Sequence, residues 1–161
     1  DIDITVTNDG KPLICLGIKF VTSNYKQNAN NYFENMMGET ANIQARKDLP
    51  YFQLIILRYK TPYYSKTIQK IGIKEPIKIE VINQQDLQKY INLAYDTPQA
   101  HKPYAIGILL IDLDEKKSKV TTLKSNLIFD KYFAKLFDSK LSVENLFLEI
   151  ENYCKFIKSK K

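Results

Sequence analysis

Polar and apolar residues alternate along the first residues of the chain, from Asp1 to Thr7. This alternation is typical of a half-buried β-strand. The tripeptide Asn8-Asp9-Gly10 follows and supplies residues that tolerate the backbone of a tight turn, and Leu13 to Phe20 is a second apolar run. The pattern therefore predicts a β-hairpin at the start of the chain.

The rest of the chain alternates predicted helices with predicted strands. Apolar residues recur at helical spacing in four segments, which predicts helices over residues 28–44, 87–95, 129–137 and 143–157. Three further apolar or alternating runs predict strands over residues 51–57, 77–82 and 104–113, and Thr61-Pro62 is expected to end the first of these runs. We therefore expect an α/β fold with a mixed central sheet of about five or six strands flanked by helices.

Length and composition favour one domain. The 161 residues include 44% hydrophobic residues, enough for one core, so residues 1–161 are expected to form a single domain. The chain begins inside a strand pattern without Met, which suggests a fragment of a longer protein with a further domain upstream. No apolar run approaches the length of a membrane span, and we expect a soluble, cytoplasmic protein without a membrane partner.

Charge and metal-binding residue types narrow the chemistry. Lys and Arg total 24 against 18 acidic residues, a net charge of +6 that favours a polyanion partner, although a lysine-rich surface composition explains it equally well. The two cysteines form no CxxC pair, and there is a single histidine, His101. A metal site would therefore have to use carboxylates.

The register of the predicted hairpin places candidate residues on one face. Burying the apolar residues of both strands together requires an even sum of paired residue numbers. With the turn centred near Gly10, Asp3 then lies opposite Gly17 and Asp1 opposite Lys19. Two carboxylates and a lysine then share the face away from the isoleucines. Carboxylates can bind a divalent metal ion, and a nearby ammonium can position a water molecule and stabilise phosphate charge, as phosphodiester hydrolysis requires.

These residues resemble the PD…(D/E)xK motif of type II restriction endonucleases: Asp3, a turn, and a strand that ends Gly17-Ile18-Lys19. The resemblance covers roughly residues 1–60 and implies a restriction-endonuclease-like fold, a Mg²⁺ (or Mn²⁺) cofactor and site-specific cleavage of double-stranded DNA in a restriction system. It also implies that Asp3, with Asp1, binds the metal and that Lys19 acts on the water molecule.

Gly17 departs from the motif, because an acidic residue is expected at that position. Some members of the superfamily take a Glu from the following helix instead. Glu34 is our first candidate for this catalytic and metal-binding role, because it shares a helical stripe of small or polar residues with Asn31 and Gly38. Glu39 is our second candidate.

Residues that suit contact with DNA lie in two segments. Amide and hydroxyl side chains can bond phosphates or base edges, and basic residues can follow the backbone. The predicted nucleic-acid-binding residues are Ser23, Asn24, Lys26, Gln27, Asn28, Asn31, Arg58 and Lys60.

Two other interpretations stay open at this point. In the first, Asp3, Lys19 and Glu34 are ordinary solvated surface residues. In the second, the chain is a catalytically inactive nuclease-fold domain that binds DNA or a protein partner, with Gly17 marking a lost metal site. A homodimer is a further expectation, because enzymes that cut both DNA strands often pair.

Overall fold

The computed structural model describes residues 3–65 and 75–160, and within them the chain is a mixed α/β fold. The strands are β1 (Ile4–Asn8), β2 (Lys11–Val21), β3 (Tyr51–Arg58), β4 (Lys60–Tyr63), β5 (Lys78–Val81), β6 (Ala105–Asp114) and β7 (Lys119–Thr122). The helices are α1 (Tyr25–Lys47), α2 (Gln84–Tyr95), α3 (Lys131–Lys140) and α4 (Val143–Ser159), and a 3-10 turn covers Ser125–Leu127.

Five strands form one mixed sheet in the order β1-β2-β3-β6-β7. The pairs β2·β3 and β3·β6 are parallel, and the two outer pairs, β1·β2 and β6·β7, are antiparallel. Strands β4 and β5 form a separate two-stranded ribbon. The predicted mixed sheet flanked by helices is confirmed, while β4 and β7 were not predicted, and β4 contains the Thr61-Pro62 step that was expected to end the strand pattern.

The two faces of the sheet bury different helices. On one face α1, α2 and α3 pack against alternate residues of the central strands, including Ile55, Leu57 and Ile108. On the other face α4 packs through Leu146 against Phe52 and its neighbours. The central strands are covered on both sides, which explains their nearly continuous apolar sequences.

The hairpin has the predicted register from Ile4 to Val6, the part away from the turn. Ile4 pairs with Leu16 and Val6 with Ile14, and Asp9 and Gly10 adopt the positive φ angles, 50° and 75°, that the turn requires. Ile4 is 44% exposed rather than buried, because α4 covers the central strands more fully than this edge of the sheet. Gly17 and Lys19 lie on the face away from Ile14 and Leu16, as the pattern predicted. Helix α1 covers this face.

No helix in the described part of the chain is both long and apolar enough to cross a membrane.

Candidate functional site

A set of polar side chains lies between the hairpin, strand β3 and helix α1. Its centre is Gly17, a buried residue that pairs with Gln53 across the parallel β2·β3 ladder. We call this set the Gly17 cluster, and its members are Asp3, Gly17, Lys19, Glu39, Tyr51 and Gln53.

Lys19 and Glu39 form an ion pair in this cluster. The Lys19 Nζ atom lies 2.8 Å from Glu39 Oε1, and the two side chains are 38% and 28% exposed. Lys19 comes from β2 and Glu39 from the middle of α1, so the crossover from β2 through α1 to β3 brings them together. The partial exposure leaves the ion pair reachable from solvent.

Asp3 lies just before β1 and bends back onto the second strand of the hairpin. Its Oδ2 atom accepts a hydrogen bond of 2.6 Å from the backbone N–H of Ile18. Its carboxylate is also close enough to the Tyr51 hydroxyl to contribute to the raised pKa of that tyrosine. The charges of Asp3 and Glu39, which come from two different elements, thus both act on the pKa of the same hydroxyl. The other predicted carboxylate, Asp1, lies outside the described residues.

The structure brings Glu39, and not Glu34, to Lys19. The two glutamates are five residues apart, which places them about 140° apart around the helix. Glu34 is exposed, and its charge acts on Lys89 of α2 instead. Of the two candidates, only Glu39 lies in the Gly17 cluster, and Glu34 lies elsewhere on the surface of α1.

Two members of the cluster, Tyr51 and Gln53, were missed by the sequence reasoning. Both are fully buried on β3. The Tyr51 hydroxyl donates to Gln53 Oε1 at 2.8 Å, and Glu39 Oε2 lies 3.3 Å from the same hydroxyl. A signal was present, because a glutamine inside an otherwise apolar central strand must find polar partners.

Tyr51 also explains why residue 17 is a glycine. A Cβ atom added at Gly17 would lie 1.9 Å from the Tyr51 hydroxyl oxygen and 3.2 Å from Gln53 Oε1. The hydroxyl therefore fills the space that an acidic side chain of the motif would need. The carboxylate that the cluster does contain, Glu39, arrives from α1.

The donor set of the cluster is compatible with magnesium. Among residues 3–65 and 75–160, no three His, Cys, Asp or Glu side chains are grouped in a way that could hold a metal ion. Magnesium, however, is commonly held by one or two carboxylates, with water and substrate phosphate as the remaining ligands. Asp3 and Glu39 are carboxylates, the donor type that this mode of binding uses.

The predicted DNA-contacting segment is largely engaged inside the protein. Asn24 holds the start of α1 against the end of β4, because its side chain accepts from Tyr64 N at 2.7 Å and donates to Tyr64 O at 3.2 Å. Asn28 donates to Asn24 O at 2.9 Å. These two asparagines therefore stabilise the start of a helix whose N-cap residue, Asn24, has a positive φ of 50°.

Lys26 and Gln27 also have internal partners. Lys26 lies 3.0 Å from Asp86 of α2, and Gln27 donates to Glu80 of β5 at 2.9 Å. These contacts join α1 to the elements that follow β3. Their polar groups would have to exchange partners in order to contact DNA.

The remaining predicted DNA-contacting residues differ in exposure. Arg58 is only 12% exposed and forms an ion pair of 2.6 Å with Glu115. Ser23 is half-buried, whereas Asn31 and Lys60 are exposed. Of the eight predicted residues, Gln27, Asn31 and Lys60 are thus the exposed ones, and Gln27 is bonded to Glu80.

No family model, curated protein or solved structure matches this chain, so its functional interpretation rests on the residues and geometry described above.

Proposed function

We propose that this protein is a magnesium-dependent endonuclease of the restriction-endonuclease type that hydrolyses phosphodiester bonds of double-stranded DNA. One observation carries the proposal: the Lys19 ammonium and the Glu39 carboxylate meet at 2.8 Å beside Gly17. A lysine two positions after the motif's missing acid is thereby paired with a helix glutamate, and Asp3 at the hairpin start accepts a hydrogen bond from the backbone N–H of Ile18, the residue between Gly17 and Lys19.

Each residue of the cluster has a role that its chemistry allows. Asp3 and Glu39 would hold the magnesium ion through their carboxylate oxygens, which are the hard ligands that this ion prefers. When bound, the ion would polarise the phosphate and favour deprotonation of a water molecule. Lys19 would orient that water molecule and offset negative charge on the phosphate, and its exposure of 38% leaves room for a substrate.

The outer face of α1 extends the proposal from chemistry to substrate binding. Asn31, Asn35 and Asn42 are exposed on this helix, and the sequence separates the last two from Glu39 by four and three residues. Amide side chains can bond phosphates and adenine edges. We place the DNA along this face, with its backbone reaching the Gly17 cluster.

A second function is favoured by one specific observation. The Tyr51 hydroxyl fills the space of the acidic side chain that the motif expects at residue 17. In this alternative the chain is a nuclease-fold domain without catalysis, which binds DNA or a protein partner through the same surface. Metal-dependent cleavage separates the two functions.

The test is cleavage of mixed-sequence plasmid DNA in the presence of Mg²⁺ or Mn²⁺. We expect discrete fragments from the unaltered protein and a loss on the order of 100-fold or more in Asp3→Ala, Lys19→Ala and Glu39→Gln. Glu34→Gln is the matched control, because it makes the same chemical change on the same helix, and it should cleave normally. Absence of cleavage by the folded protein, together with DNA binding, would leave the non-catalytic function.

A further inference from the structure

Strand β3 lies in the middle of the sheet and is mostly apolar, yet it contains two buried residues with polar side-chain groups. Tyr51 and Gln53 lie on the same face of a central strand, and the solvent-accessible fraction of each is 0%. Burying an amide or hydroxyl without partners costs free energy, so such residues persist only where their hydrogen bonds are made. Their bonds are therefore informative about what the strand is arranged to do.

The Gln53 amide has one orientation available to it. Its Nε2 atom donates to two backbone carbonyls, Gly17 O at 3.0 Å and Leu54 O at 2.9 Å. An NH₂ group has two hydrogens, and both are used. Rotating the amide would put its oxygen against two carbonyl oxygens, so Oε1 is held facing the Tyr51 hydroxyl.

Because Gln53 Oε1 is fixed, it determines the orientation of the Tyr51 hydroxyl that bonds to it. It donates to Gln53 Oε1 at 2.8 Å and lies 3.3 Å from Glu39 Oε2. Burial raises the pKa of Tyr51, and the negative charges of Glu39 and Asp3 raise it further, so the hydroxyl keeps its proton. It remains a hydrogen-bond donor shared between an amide and a carboxylate.

Glu39 is then held at both oxygens. Lys19 Nζ contacts Oε1 at 2.8 Å, and the Tyr51 hydroxyl contacts Oε2 at the longer distance of 3.3 Å. Because the hydroxyl shares its one proton with Gln53, its contact with Glu39 is the weaker of the two, and together the two contacts restrain the rotation of the carboxylate. Gly17 is required by this arrangement, because any side chain there would displace the hydroxyl.

We propose that Tyr51 and Gln53 are positioning residues: Gln53 orients the Tyr51 hydroxyl, and that hydroxyl fixes the Glu39 carboxylate beside Gly17, where it replaces the acidic residue missing from the hairpin. This inference rests on the proposed function for its consequence in catalysis, but the hydrogen-bond chain itself exists with or without cleavage. Neither residue contacts the reacting atoms, and both act through Glu39.

The experiment is a double-mutant cycle of Tyr51→Phe and Glu39→Gln, read by Mn²⁺ affinity from calorimetry and by the single-turnover cleavage rate. Tyr51→Phe should lower both about tenfold when Glu39 is present and should have no further effect in the Glu39→Gln protein, because coupled residues are not additive. Tyr90→Phe, a buried tyrosine of α2 outside the cluster, is the control and should change neither quantity. Thermal melts followed by circular dichroism confirm that each variant is folded.

A second readout does not depend on activity. In tyrosine-labelled protein, the hydroxyl proton resonance of Tyr51 reports its acceptors and its exchange with water. Glu39→Gln should shift this resonance, and Gln53→Leu should accelerate its exchange, whereas Tyr90→Phe should leave it unchanged.

The outcomes separate this inference from the proposed function. If the protein cleaves DNA and Glu39→Gln cleaves it more slowly, but Tyr51→Phe matches the unaltered protein or loses the same factor in both backgrounds, the positioning role is wrong and the nuclease stands. If the protein neither cleaves nor binds Mn²⁺, the nuclease is wrong. In that case a Tyr51 resonance that responds to Glu39→Gln supports the positioning of the carboxylate, and one that does not respond overturns it.

Discussion

Replacing Gly17 by alanine should disturb the cluster in a way that can be calculated from the structure. The added Cβ atom would lie 1.9 Å from the Tyr51 hydroxyl oxygen and 2.8 Å from Tyr51 Cζ. Carbon atoms in favourable contact are about 3.5 to 4.0 Å apart, so the hydroxyl would have to move by roughly 1.5 Å. A shift of that size breaks its 2.8 Å hydrogen bond to Gln53.

The expected loss of stability has two parts. Leaving the buried Gln53 oxygen and the tyrosine hydroxyl unpaired costs about 1 to 3 kcal/mol, and inserting a methyl group into a filled site costs about 1 to 3 kcal/mol. We therefore expect Gly17→Ala to lower the free energy of unfolding by about 3 kcal/mol. For a chain of this length that corresponds to a fall in Tm of roughly 6 to 12 °C.

Removing the Tyr51 hydroxyl first should make Gly17→Ala less destabilising. In the Tyr51→Phe protein the contact at 1.9 Å no longer exists, and the remaining close contact is that of Cζ at 2.8 Å. Gly17→Ala should then cost only about 1 kcal/mol, so the two changes should be coupled by about 2 kcal/mol.

The assay is urea unfolding of the four proteins of this cycle, followed by circular dichroism because the chain contains no tryptophan. Gly38→Ala, on helix α1, is the control because it makes the same chemical change where the added methyl group meets nothing within 4 Å. It should stabilise the protein by about 1 kcal/mol, since alanine is a better helix former than glycine. The reasoning would be refuted if Gly17→Ala cost less than about 1 kcal/mol, or cost the same with and without the Tyr51 hydroxyl.

Two further predictions concern other parts of the fold. Gly107→Ala should destabilise the protein by about 1 to 3 kcal/mol in urea unfolding, because its methyl group would lie 2.7 Å from a leucine of α4; an unchanged midpoint would contradict that close packing. Burial alone would raise the pKa of the Glu80 carboxyl, but hydrogen bonds from Lys78 and Gln27 outweigh it and the pKa is lowered from its ordinary value of 4.5. Glu80 therefore contributes stability that is present above pH 4.5 and is lost as the pH falls through its lower folded-state value. Glu80→Gln should make Tm less sensitive to pH in that acidic range, and an equal pH dependence in both proteins would exclude this contribution.

The hairpin could be predicted because local and long-range signals agree there. A period of two sets the faces of both strands, and the turn residues Asp9 and Gly10 set the register that pairs Ile4 with Leu16. The sequence pattern therefore assigns Lys19 to the correct face. The same logic located the central strands, whose two covered faces produce long apolar runs.

The helix residue of the cluster could be narrowed only to two candidates. Glu34 and Glu39 both lie on α1, and the choice between them depends on how the helix is rotated against the sheet. That rotation is set by buried residues such as Met36 and Thr40, whereas the polar stripe considered in the sequence is the exposed one. Glu39 is adjacent to this buried face and so reaches Lys19.

The roles of Tyr51 and the asparagines needed tertiary contacts. Tyr51 looks like an ordinary strand residue, and only the parallel pairing of β3 with β2 places its hydroxyl over Gly17. Asn24 and Asn28 suggested a DNA-contacting loop, yet their side chains bond backbone groups that organise the start of α1. Asn24 and Tyr64 are 40 residues apart along the chain, so no local sequence pattern predicts their hydrogen bond.

The most direct test of the account is calorimetric titration of Mn²⁺ into the unaltered protein, Glu39→Gln and Glu34→Gln. The account predicts that the unaltered protein and Glu34→Gln bind Mn²⁺ equally well and that Glu39→Gln binds it at least about tenfold more weakly, because only Glu39 lies beside Lys19. Equal binding by all three proteins, or no binding by the folded unaltered protein, would contradict a metal site in the Gly17 cluster.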